Sequence, residues 1–208
     1  MTDCKSNKSF VVIVPELLAS AAKNCAPCSK DLIPKICFSC GSSGILDLGI
    51  GTEKIETYNK RHSFTLAGED KVYTSGLEKI IINYKDWKIC PLICYDLRFP
   101  VWARNTENYD LLIFVANWPK QRISAWDTLL KARAIENVSY VIGINRTGKD
   151  DNYFEYSGYS MIVDFLGEEI SNLKNNEIGI IKATLIKKEQ DNIRKELGFL
   201  NDKDTFQF

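Results

Sequence analysis

Apolar runs and polar breaks alternate along the chain, and the runs are of two kinds. Short, β-branched, wholly apolar runs at Phe10–Val14 and Leu111–Ala116 predict buried strands. Tyr140–Ile144, Tyr159–Asp164 and Gly179–Leu185 predict further strands, and Lys54–Tyr58 alternates as a half-buried strand does. Gly41–Gly51, rich in glycine and serine, reads as turns around a short strand at Ile45–Leu48. Lys79–Asn83 and Trp87–Cys94 read as two strands joined by a polar turn at Tyr84–Asp86. Pro91 in the second requires a bulge or an edge position, because proline brings no N–H to a ladder.

Helical patterns are fewer. Leu17–Lys23 has helical composition. In Trp126–Asn137, Trp126, Leu129, Leu130, Ala134 and Ile135 share one face, with Lys131 and Arg133 off it. Ile186–Leu197 reads as a charged helix, and Phe199, Phe206 and Phe208 make the tail after it aromatic enough to dock on a partner surface. Strands interleaved with helices predict a layered α/β fold. Polar residues stand just past the predicted strands at Glu16, Lys60, Cys94, Asn117 and Asn145, the rim where α/β sheets bind ligands.

Composition narrows the classes. The 208 residues are 45% hydrophobic, which suits a single domain over residues 1–208. Basic and acidic residues balance at 27 each, so no basic field points to nucleic acid. No apolar run approaches the roughly 20 residues of a membrane span. The N-terminal stretch reads as a strand, not a signal peptide. Seven cysteines without such a signal fit free thiols in a reducing cytoplasm.

The chemistry concentrates in KICPLICYDLRFP, Lys88–Pro100. Apolar residues run to Cys94, polar ones follow at once, and VWARN after them has helical composition. A buried strand that ends in a nucleophile and turns sharply into a helix exposes the reactive side chain beside backbone N–H groups that can meet an oxyanion. A buried core cysteine is the other reading of Cys94. An acid, a lysine and a cysteine at neighbouring strand ends would be a sufficient set: thiolate nucleophile, carboxylate base, ammonium for the oxyanion, with no metal or other cofactor. His62 is the sole histidine, no G-x-S-x-G accompanies it, and it reads as a structural hydrogen-bonding residue. Two C-x-x-C pairs, Cys25/Cys28 and Cys37/Cys40, are separated by eight residues. They are either loop thiols or the four ligands of a structural zinc module.

YNKRHSF around Lys60, LICYDLRFPVWARN around Cys94, VANWP at Val115–Pro119, KARAIEN at Lys131–Asn137 and GINRTG at Gly143–Gly148 resemble, in order and interval, the nitrilase superfamily of carbon–nitrogen hydrolases. The similarity is greatest to the omega-amidase branch. It implies a four-layer α-β-β-α sandwich, subunits paired into a homodimer, and a cytoplasmic enzyme. The reaction implied is cleavage of the side-chain amide of small 2-oxo acid monoamides, of the 2-oxoglutaramate and 2-oxosuccinamate type, through a cysteine thioester. By resemblance Cys94 is the nucleophile, Lys60 the lysine of the triad, Glu69 a supporting loop glutamate, Glu16 the general base, and the Tyr95 N–H an oxyanion donor. Asn117, Trp118, Arg122 and Arg146 fall where substrate would bind, an arginine holding its carboxylate as a bidentate pair. Residues 1–56 depart from the family pattern. The strand and long helix expected before Pro-Glu are missing, which implies a truncated or altered N-terminal part. A catalytically inactive relative kept for binding would share these motifs.

Overall fold

The computed structural model describes residues 9–15, 36–40, 45–50 and 54–205, with side chains from residue 56 onward. Three early strands, β2 (Ile36–Cys40), β3 (Ile45–Ile50) and β4 (Lys54–Asn59), follow β1 (Ser9–Pro15) and form an antiparallel sheet in the order β2-β3-β4. The main body is built from β5 (Ile82–Tyr84), β6 (Trp87–Ile93), β7 (Leu111–Ala116), β8 (Tyr140–Asn145), β11 (Met161–Val163) and β12 (Glu169–Asn172). Among the described residues these make one six-stranded sheet in the order β12-β11-β8-β7-β6-β5. Between β8 and β11 lies a small hairpin, β9 (Thr147–Lys149) with β10 (Glu155–Ser157). The last strand, β13 (Ile180–Ile186), pairs antiparallel with β1.

The centre of the sheet is parallel, with Ile93 opposite Val115 and Ala116 opposite Asn145. Every residue of β7 and β8 is buried, as strands covered on both faces should be. Because β6, β7 and β8 run the same way, the residues that follow them gather on one rim. That accounts for Cys94, Asn117 and Asn145; Lys60 follows β4 of the β2-β3-β4 sheet, and Glu16 lies outside the described residues.

Several expected elements take different bounds. Of the expected strand Lys79–Asn83 only Ile82 and Asn83 are strand, and β5 runs on into the expected turn at Tyr84. Pro91 is tolerated because the β5 ladder stops at Ile82 opposite Ile89, leaving no described partner on that flank. Helix α2 (Ile123–Asn137) begins three residues earlier than the periodicity suggests, and its buried face differs too. Ile135 is exposed, whereas Arg133 and Asn137 are buried. Arg133 Nη2 donates to Leu97 O at 2.7 Å, and Asn137 Oδ1 accepts from Asn105 N at 2.8 Å. Polar partners, not apolar periodicity, set that side of the helix. Hairpin β9–β10 and strands β2 and β12 had no clear periodic signal. α1 (Pro100–Ala103) is a single turn after Phe99.

α3 (Lys187–Leu197) closes the far end of β7. Arg194 pairs with buried Asp110 at 3.0 Å, Lys187 pairs with the same carboxylate, and Gln190 Nε2 donates to Asp110 O at 2.8 Å. Phe199–Asn201 form a further turn after α3. No helix among the described residues is long and apolar enough to cross a membrane.

α2 crosses β8 at Gly143, where a Cβ would lie 2.3 Å from Leu130 Cδ1 and 2.7 Å from Trp126 Cζ2. Both side chains are fully buried, so neither has room to yield. Gly143→Ala is therefore expected to destabilise by about 1–3 kcal/mol, seen as a lower midpoint in thermal or urea unfolding. An unchanged midpoint would mean that α2 slides freely on β8.

Candidate active site

β6 delivers Cys94 to the rim with φ at +45°, a left-handed backbone that non-glycine residues seldom adopt. The chain then turns through a 3-10 segment, Cys94–Arg98, into α1. Such local strain persists only where surrounding contacts hold it, and it concentrates at functional positions. Two contacts hold this one. Ile93 N donates to Asp96 Oδ2 at 3.1 Å in front, and Arg133 grips Leu97 O behind.

Lys60 follows β4 and opens a loop whose ends are drawn together by Gly76. Gly76 N donates to Lys60 O at 2.8 Å, and Arg61 Nη1 donates to Gly76 O at 3.1 Å. A Cβ on Gly76 would lie 2.2 Å from Asn59 O, so only glycine closes this neck. Within the loop Glu69 Oε2 accepts from Lys60 Nζ at 2.5 Å and from Phe64 N at 2.8 Å. The Lys60 side chain is 7% exposed and that of Glu69 28%, so solvent screens the pair little on the lysine side.

Cys94 keeps part of its surface open, and its thiol lies 4.0 Å from Asn117 O just past β7. Desolvation pushes the thiol up to about 11, against the pull of the Lys60 ammonium and of the Asn117 carbonyl contact. Glu69 and Asp96 push it further up. Lys60, Glu69 and Cys94 thus share one electrostatic neighbourhood. At neutral pH such a thiol is almost wholly protonated, so a nucleophilic role would require a base to take its proton.

The other predicted residues divide. Trp118 is buried, with Nε1 donating to Arg122 O at 2.7 Å and Arg98 lying over its ring at 5.0 Å. Its side chain serves the fold. Asn145 braces the same loop, its Oδ1 accepting from Trp118 N at 2.7 Å and its Nδ2 donating to Trp118 O at 3.0 Å. The Arg122 guanidinium lies 5.3 Å over Phe64, which packs on Tyr95 at 4.9 Å. The Arg146 guanidinium lies 4.6 Å over Tyr156, and its Nε is buried with no hydrogen-bond partner. Tyr156 was not foreseen. Its phenol, pushed up to about 12 mainly by desolvation and by its bond to Asp150, also feels the Cys94 charge. Its run, EYSG, has too little periodicity to have marked it. His62 has the expected structural role, with Nδ1 2.9 Å from Asp96 Oδ1.

Glu16 lies outside the described residues, as do Cys25 and Cys28. Cys37 and Cys40 fall in β2, with their side chains outside the described part. Among the described residues no cluster of histidine, cysteine, aspartate or glutamate could hold a metal ion.

The carbon-nitrogen hydrolase family model matches residues 41–194. The omega-amidase YafV of Yersinia enterocolitica is 45% identical over 149 residues, covering 72% of this chain and 58% of that protein. The 2-oxoglutaramate amidase of Bacillus subtilis is 36% identical over 151 residues, covering 71% and 57% respectively. Among solved structures, a CN-hydrolase superfamily protein of Xanthomonas campestris with an arsenic adduct in its active site superposes with a TM-score of 0.76 at 36% identity, covering 79% of this chain and 64% of that one. The fold is thus of the nitrilase class expected from the motifs. The chain belongs to the carbon–nitrogen hydrolase family. It spans somewhat under two thirds of the length of these relatives.

Proposed function

We propose that Cys94 is the nucleophile of an amide hydrolysis, and that the substrate is the omega-amide of a small dicarboxylic 2-oxo acid. The observation that carries this reading is a thiol at the tip of β6, held at positive φ, in the field of the partly buried Lys60–Glu69 pair. The names of the two relatives, omega-amidase and 2-oxoglutaramate amidase, support the substrate class.

A carboxylate, Glu16 in this proposal, takes the Cys94 proton as sulfur attacks the amide carbon. Lys60 Nζ and the Tyr95 N–H donate to the oxyanion. The C–N bond breaks as the protonated carboxyl returns its proton to nitrogen, releasing ammonia and leaving a thioester on Cys94. Water, deprotonated by the same carboxylate, attacks the thioester; the C–S bond breaks, the product acid leaves, and the thiol is restored. Glu69 holds Lys60 in place throughout. Asn117 contributes its carbonyl, which touches the thiol. Ammonia release from 2-oxoglutaramate and 2-oxosuccinamate, with a thioester adduct on the Cys94 peptide in a quenched reaction, tests the proposal. Absence of both across a panel of omega-amides would end it.

The substrate carboxylate needs a cation beside the thiol. Arg146 meets this better than Arg122, since it has an unpartnered buried Nε and lies over Tyr156, whose phenol feels the Cys94 charge. Arg146→Ala should raise KM roughly 10- to 100-fold with kcat little changed, the pattern of a lost ground-state contact. An Arg122→Ala protein with the larger KM effect would move the carboxylate to Arg122.

A further inference from the structure

Lys60 and Cys94 stand on separate segments of chain, and one buried carboxylate fastens those segments together. Asp96, two residues past Cys94, is fully buried and accepts four hydrogen bonds. Its Oδ2 takes Tyr58 OH at 2.9 Å and Ile93 N at 3.1 Å. Its Oδ1 takes His62 N and His62 Nδ1, both at 2.9 Å. Tyr58 and His62 flank Lys60 symmetrically, two residues before it and two after. Trp102 Nε1 donates to Tyr58 OH at 2.9 Å, and the His62 ring stacks on Phe99 at 3.6 Å. Two of the clamp's donors, Tyr58 OH and the His62 ring, are thereby each held from a second side.

We propose that Asp96 is a positioning residue that sets the placement of the Lys60 ammonium relative to the Cys94 sulfur. The inference rests on the reading of these two as the reacting pair. One oxygen closes the strained turn that presents Cys94, and the other holds the backbone at His62. Asparagine cannot replace this. Its single acceptor serves either Ile93 N or His62 N, and its NH2 faces a donor at the other, so one buried backbone N–H loses its partner.

The direction of the effect on the thiol separates positioning from plain charge. The Asp96 carboxylate by itself disfavours the Cys94 thiolate. If charge were all that mattered, Asp96→Asn would make Cys94 react faster. If the residue places Lys60, the variant loses the cation's help and Cys94 reacts more slowly. The experiment alkylates the full chain with iodoacetamide at fixed pH and follows Cys94 and Cys90 separately by fragment-ion mass spectrometry. Cys90, fully buried in β6, reports loosening of the fold.

The expected result for Asp96→Asn is alkylation of Cys94 slowed by about tenfold, with Cys90 still protected. Tyr58→Phe, which removes one of the four bonds and spares the backbone, should slow Cys94 less and in the same direction. A wild-type or faster rate at Cys94 in a variant with Cys90 protected overturns the proposal. If Cys90 becomes reactive in Asp96→Asn, Tyr58→Phe decides by the same criterion, and a Cys90 reactive in both variants overturns it as well. Where the wild-type chain hydrolyses an omega-amide, the loss in Asp96→Asn falls on kcat and leaves KM. Where it hydrolyses none, the hydrolase reading fails while the alkylation rates still decide the role of Asp96.

Discussion

Cys94→Ser is expected to lose at least about 10⁴-fold in kcat while keeping its unfolding midpoint within a degree or two of the parent. The two halves of that expectation have separate causes. Serine is close in volume to cysteine and can occupy the left-handed conformation at φ +45° under the same clamps, so the turn has no reason to reorganise. Chemically the change is severe. An alcohol ionises far less readily than a thiol, and this site already disfavours the charged form by desolvation. The carboxylate base suited to a thiol with a value near 11 has no comparable hold on a serine hydroxyl. Ammonia release and a melt followed by circular dichroism measure the two halves. Turnover surviving at more than a few per cent would remove Cys94 from the nucleophile's place. A collapsed melt would show that the sulfur packs the turn as well as reacting.

What the sequence made legible follows the range of the interactions that decide each feature. β7 and β8 are buried on both faces, so their apolar runs carried the answer locally. The position of Cys94 at a strand end was legible because a strand-to-turn switch in polarity lies within a dozen residues of sequence. The face of α2 was not. Arg133 and Asn137 are buried by Leu97 O and Asn105 N, more than thirty residues away, and no periodicity records a partner at that distance. Asp96 and Tyr156 escaped notice as site residues for the same reason. The partners of Asp96 at Tyr58 and His62 are spread over the chain, and Tyr156 stands in the β9–β10 hairpin, where its phenol donates to Asp150. The β2 and β12 strands are short or mixed in character, and they pair because their neighbours present open edges.

Lys60→Met should lower kcat/KM by about 10²–10³-fold, an effect second only to loss of the thiol, because in the proposed mechanism the oxyanion loses a charged donor. Methionine keeps most of the side chain's length and apolar contact, so the comparison isolates the ammonium. Two readouts fix the interpretation. The first is the Cys94 titration, followed as alkylation rate against pH. Lys60 is the largest influence drawing the thiol down from the level set by burial, so removing it raises the thiol's pKa. The rise in alkylation rate with pH must then move to higher pH than in the parent. A shift to lower pH would mean that Glu69, freed from Lys60, had moved away from the sulfur and taken its repulsion with it. The second is Lys60→Arg, which restores charge but replaces a compact ammonium by a planar fork. Glu69 Oε2 is already shared between Lys60 Nζ at 2.5 Å and Phe64 N at 2.8 Å, so a guanidinium must rebuild both contacts in a neck closed by Gly76. Arginine should therefore recover the thiol's titration and leave most of the turnover unrecovered. In the proposed mechanism, charge near the sulfur and a donor at the oxyanion are separate demands, and the arginine variant tells them apart.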